Sequence, residues 1–151
     1  MTAGSEKAAP PVSILLVEYN LGDARLTREA LKEGNVYNTL HWVKDGVEAL
    51  DFLHRRGNHR DVPRPDIILL DLNLPKKDGR EVLQEIKGND DLKRIPVVIL
   101  TTSKAEEDVL KTYSLHANCY VTKPVDLEQF IKVVQSIDNF WLTVVTLPNG
   151  K

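Results

Sequence analysis

Three runs of four consecutive apolar residues, Ile14 to Val17, Ile67 to Leu70 and Val97 to Leu100, stand out along the chain. Each is made of Val, Ile and Leu and is bounded by polar or turn residues, the pattern of a strand buried on both faces. Strands are therefore predicted over Ser13 to Val17, Ile67 to Leu70 and Val97 to Leu100, with weaker patterns at Thr39 to Val43 and Asn118 to Val121. Helical spacing fills the intervals: Leu26, Thr27, Ala30 and Leu31; then Ala49, Leu50 and Leu53; then Val82, Leu83 and Ile86; then Val109 and Tyr113. The last helix has Asp126 as its predicted N-cap and carries Leu127, Phe130, Ile131, Val134, Ile137 and Trp141 along one face. Strands alternating with helices predict a doubly wound α/β domain, because right-handed crossovers lay helices on both faces of a parallel sheet. One long connection, Arg55 to Pro65, is rich in Arg, His and Pro; it reads as a solvated loop or as a docking surface for an acidic partner.

Composition narrows the functional classes. The chain of 151 residues is about one domain long, and 42% of it is hydrophobic, enough for a core. Twenty Lys and Arg against 22 Asp and Glu give a formal charge of −2, so there is no basic excess to hold a nucleic-acid backbone. Apolar runs of four residues fall far short of the ~20 needed to span a bilayer, so no membrane segment is expected. Met1 to Pro11 lacks a signal peptide's apolar stretch and reads as a disordered leader (1–11) of a cytoplasmic protein. The lone Cys119 permits no internal disulfide and reads as a small buried residue.

In doubly wound sheets the working site lies beyond the carboxyl ends of the strands. The residues found there are Glu18 and Tyr19, Asp71, Thr101 and Thr102, and Lys123. Asp71 follows a buried strand that would fix its carboxylate on the rim, a placement suited to a nucleophile toward phosphorus. Phosphoryl transfer needs in-line positioning and neutralised oxygens. Mg²⁺ held by Glu18, Asp71 and a backbone carbonyl near Asn73 would supply that charge, with Lys123 as a second cation and Thr101 as a hydroxyl donor. Singly, each residue has an ordinary use as a turn cap, a strand end or a solvated charge; the set carries the argument.

With these residues in place the chain resembles a two-component response-regulator receiver domain from Val12 to Phe140 (12–140). The resemblance rests on Ile14-Leu15-Leu16-Val17-Glu18, on Asp71-Leu72-Asn73-Leu74-Pro75 with Asp78-Gly79, on Pro96 to Thr101, and on Tyr120-Val121-Thr122-Lys123-Pro124. Leu100-Thr101-Thr102-Ser103-Lys104, Phe140-Trp141-Leu142 and Thr146-Leu147-Pro148 make it similar to phytochrome-associated single-domain regulators. The resemblance implies a flavodoxin-like fold with five parallel strands in the order 2-1-3-4-5 and five helices. It implies that Asp71 accepts a phosphoryl group from a sensor histidine kinase, a phytochrome, with Glu18 and Asp71 helping to hold Mg²⁺. Thr101 and Tyr120 would form the switch pair, Lys123 would pair with the acyl phosphate, and the Lys123–Pro124 peptide would be cis.

Two departures accompany the match. Receivers usually carry two successive acids after the first strand, the second a direct metal ligand, and here the second position is Tyr19. A phenol with a pKa of about 10 is neutral at physiological pH and a poor Mg²⁺ ligand, so weakened metal affinity is expected. Thr102 stands where a more compact residue usually follows the switch threonine and is expected to narrow access to the phosphoryl group. The tail (141–151), with Trp141, Leu142 and the run Thr143 to Thr146, offers apolar surface for a homodimer contact or for packing across the domain. With the chain ending at Lys151, output is expected through contact with a protein target. The competing readings are a metal-impaired receiver acting as a constitutive dimer or docking module, and an aspartyl-phosphate phosphatase. The phosphatase reading is weakened by Asn73, which stands where such enzymes place a second Asp.

Overall fold

The computed structural model describes residues 11–33, 38–102 and 119–135. Five strands, β1 (Val12–Val17), β2 (Asn38–Val43), β3 (Ile67–Asp71), β4 (Val97–Thr101) and β5 (Cys119–Thr122), form one sheet in the order β2-β1-β3-β4-β5. Every pairing is parallel, and the register sets Leu16 beside Leu69, Leu70 beside Ile99 and Ile99 beside Tyr120. The strand order reverses between β1 and β3, so the chain leaves these two neighbours in opposite directions and opens a crevice at their carboxyl ends.

Alternation along the central strands splits the core in two. Leu15, Val17, Ile68, Leu70 and Ile99 face one side and pack with residues of helices α2 (Gly46–Leu53) and α3 (Gly79–Lys87). Ile14, Leu16, Ile67, Leu69, Val98 and Leu100 face the other, against α1 (Leu21–Glu33) and α4 (Leu127–Gln135). β1, β3 and β4 are therefore covered on both faces, which is why their sequences are continuous apolar runs. β2 is an edge strand, and most of it is only half-buried.

Each helix start is fixed locally. Asn20 Oδ1 accepts from Asp23 N at 2.9 Å, Asp45 Oδ1 from Glu48 N at 2.8 Å, and Asp126 Oδ1 from Gln129 N at 2.9 Å. Asp78 and Glu81 form a capping box at the start of α3. The buried stripes of α2 and α3 contain the residues predicted for them. That of α1 contains Thr27 and Leu31 of its predicted four, together with Ala24, while Ala30 is half-buried and Leu26 is 52% exposed. The Arg55 to Pro65 connection contains a 3₁₀ turn, Gly57–His59, whose His59 lies against the Phe52 ring and 3.5 Å from Glu48.

The helix predicted around Val109 and Tyr113, the leader up to residue 10, and the tail with Ile137 and Trp141 lie outside the described residues. Among the described residues no helix is long and apolar enough to cross a membrane.

Candidate functional site

β1 delivers Glu18 to the crevice, and β2 fixes its backbone. Glu18 N donates to Val43 O at 3.1 Å, and Trp42 Nε1 donates to Glu18 O at 2.7 Å. Its side chain turns inward and is only 1% exposed. Tyr19, by contrast, is 61% exposed.

Asp71 is the last residue of β3 and is buried. Its Oδ1 accepts from Asn73 N at 2.9 Å, which folds the following turn back over the strand end. Gly79 closes the same turn by donating its N–H to Leu72 O at 3.0 Å. A Cβ on Gly79 would come within 2.5 Å of Leu72 Cα and 2.6 Å of Asp71 O, so only glycine lets α3 begin this close to the acidic residue.

Lys123 completes the group from the end of β5. Its N–H donates to Thr101 O at 2.7 Å, and the peptide joining it to Pro124 is cis, as the resemblance implies. Lys123 Nζ donates to three carboxylates: Glu18 Oε1 at 3.1 Å, Asp23 Oδ2 at 2.9 Å and Asp71 Oδ2 at 3.0 Å. Strand-end reasoning named three members of this quartet and missed Asp23, which sits in the first turn of α1. An acid there is commonly explained by the helix dipole alone. Its spacing five residues beyond Glu18 was the available signal, and that becomes legible only once the direction of α1 is known.

Three carboxylates facing one ammonium leave an excess of two negative charges when all are ionised. Burial, reinforced by the neighbouring Asp71 and opposed by Lys123, pushes Glu18 up to about 7. For Lys123, burial acts to lower the pKa, but the hydrogen-bonded carboxylates of Asp23 and Asp71 and the charge of Glu18 overcome it and hold the amine firmly protonated. Among the described residues no trio of acidic, His or Cys side chains forms a ready-made metal cage. The carboxylates close instead on the ammonium. Hard oxygen donors already gathered round a cation nevertheless make a set suited to Mg²⁺ or Mn²⁺.

Thr101, at the end of β4, is fully buried, and its hydroxyl donates to Val121 O at 3.4 Å. Tyr120, one strand over, is half-buried against the core on the α2 and α3 side. Asn73 and Thr102 are exposed at the rim. A cavity of about 590 Å³ lies at the other end of the sheet, lined by Arg55, Arg64 and Arg94 among others, and takes no part in this group.

The response regulator receiver domain family matches residues 14–135. Response regulator Rcp1 of Synechocystis sp. is 55% identical over 144 residues, spanning 95% of this chain and 98% of that protein. The Mn²⁺-bound form of Rcp1 superposes with a TM-score of 0.70 at 56% identity, covering 91% of this chain and 99% of the other. The phosphorylated cyanobacterial phytochrome response regulator RcpA gives a TM-score of 0.70 at 51% identity, with 91% and 99% covered. Sequence motifs, strand order and these likenesses agree, and the chain belongs to the response regulator receiver family, where it is similar to the phytochrome-associated members.

Proposed function

We propose that this receiver takes a phosphoryl group onto Asp71 from the phosphohistidine of a phytochrome-type sensor kinase and relays it by changing a protein-binding surface. The observation that carries the reading is the pairing of Asp71 Oδ2 with Lys123 Nζ at 3.0 Å on the rim of the crevice. In the transfer an Asp71 carboxylate oxygen forms a bond to phosphorus. The P–N bond to the kinase imidazole breaks, and that nitrogen keeps the electron pair and takes up a proton. Lys123 neutralises the growing charge, and the buried strand behind Asp71 holds the attacking oxygen in line.

Mg²⁺ would be held by Glu18, Asp71 and the backbone carbonyl at Asn73, and when bound it supplies positive charge to the phosphoryl oxygens. Tyr19 adds no carboxylate, so weak metal affinity belongs to the proposal. Thr101 and Tyr120 act as the switch pair: the hydroxyl leaves Val121 O for the new dianion, and the ring follows inward. Residues 12–140 form the signalling unit. The tail over 141–151 joins two copies as a homodimer, and a downstream protein is the target in the cytoplasm. The chain acts as a signalling protein and not as a conventional enzyme; it promotes its own phosphorylation and dephosphorylation.

The test is phosphotransfer from an autophosphorylated phytochrome kinase. Label is expected on the wild-type chain in Mg²⁺ and absent from Asp71→Asn. Label that persists in Asp71→Asn overturns the assignment. The exposed Tyr19 favours one second reading, a constitutive docking module, which predicts no label at any Mg²⁺ concentration and an unchanged dimer.

A further inference from the structure

We propose that Asp23 is a ligand of the divalent cation in this chain, so that α1 supplies a carboxylate oxygen that the residue next to Glu18 does not. The inference rests on the reading of the crevice as a metal-assisted phosphoryl-acceptor site and adds to it a residue outside the set assigned there.

The geometry points to Asp23 in three ways. First, Glu18, Asp71 and Asp23 come from three separate elements, β1, β3 and α1, yet their oxygens lie within 3.1 Å of one nitrogen. That nitrogen belongs to an ammonium, so these oxygens already share one cation, and Asp23 makes the shortest of the three contacts. Second, the position beside Glu18 is an exposed tyrosine, so it supplies no carboxylate oxygen to the crevice. Third, Asp23 is held from behind: its own N–H donates to Asn20 Oδ1, and Asn20 N in turn donates to Glu18 Oε2 at 3.2 Å. The two acids are thus linked by hydrogen bonds through one residue.

With all three carboxylates ionised, one ammonium leaves two negative charges unbalanced, which is the charge that one divalent ion would match. Hard carboxylate oxygens suit Mg²⁺ and Mn²⁺ above softer metals. Asp23 is also partly open to solvent, at 35% exposure, and so gives an entering ion a route to the buried Asp71 and Glu18.

The experiment is Mn²⁺ titration followed by the electron paramagnetic resonance signal of free Mn²⁺, which needs no phosphorylation. Wild type, Asp23→Asn, Asp71→Asn and Glu29→Gln are compared, the last removing an exposed charge from the same helix. Lys123→Met and the double variant Asp23→Asn/Lys123→Met complete the set, and circular dichroism checks each for folding. Asp23→Asn is expected to weaken binding about tenfold or more, whether Lys123 is present or replaced in Lys123→Met, with Glu29→Gln close to wild type. A loss seen only while Lys123 is present means that Asp23 acts only through the ammonium, and it overturns the proposal. A loss equal to that of Glu29→Gln reduces Asp23 to general electrostatics and overturns it equally. If wild type and Asp71→Asn alike bind no Mn²⁺, the metal reading of the site fails and the assignment of Asp23 falls with it. Wild-type binding that is lost in Asp71→Asn but kept in Asp23→Asn overturns the assignment of Asp23 alone.

Discussion

The site shifts the protonation of Glu18 strongly. Burial and Asp71 raise its pKa to about 7 from the 4.5 of a free glutamate, so in the metal-free fold the neutral acid is favoured below about pH 7. A carboxyl whose folded pKa is raised contributes stability that is complete below the unfolded pKa and is lost as pH climbs through the folded one. Between pH 4.5 and about 7, stability measured by urea unfolding in chelator should therefore fall for wild type relative to Glu18→Gln, and the gap should level off above pH 7. A gap independent of pH would contradict this account of Glu18. At this scale Asp71, Thr101 and Glu18 were legible in the sequence because each directly follows an apolar run, and Lys123 because it lies just beyond the weaker strand pattern ending at Val121. Asp23 and Trp42 were not. Asp23 reaches the site through the direction of a helix, and Trp42 reaches Glu18 O across 24 positions of chain. Strand-end spacing records neither.

At the scale of elements, the start of α3 determines how closely the Asp71 turn can be packed. Gly79→Ala would drive a methyl group into the backbone of Asp71 and Leu72, and it should cost about 1–3 kcal/mol in urea unfolding. Asp78→Ala removes the cap but not the close approach, and about 1 kcal/mol is expected. If Gly79→Ala costs no more than Asp78→Ala, the tight approach is not holding the turn. Periodicity read α2 and α3 well because each has a single apolar face. In α1 it placed Thr27 and Leu31 correctly but misread Leu26, which has the right spacing yet is exposed, and it left out the buried Ala24. Apolar character and burial part company on a helix that packs chiefly through small or hydroxyl-bearing side chains. β2 gave a weaker pattern than β1 because an edge strand is covered incompletely, and its polar residues Asn38, Thr39 and His41 break the apolar run.

Across the whole molecule, a two-sided core makes the crevice rigid from behind. Leu69, fully buried in β3, touches the core on the α1 and α4 side, and it stands two residues before Asp71. Leu69→Ala should cost about 2–5 kcal/mol, seen as a lowered urea midpoint. In the proposed mechanism the signal runs across this fold from the acid at the end of β3 to the hydroxyl at the end of β4 and the ring on β5. The central claim is that Asp71 becomes an acyl phosphate, and its most direct test is intact-mass analysis after incubation with Mg²⁺ and a small-molecule phosphodonor, followed by borohydride reduction and peptide mapping. The account predicts one base-labile phosphoryl adduct, reduced at residue 71 and absent from Asp71→Asn. An adduct mapped to another residue, or none at saturating Mg²⁺, would contradict it.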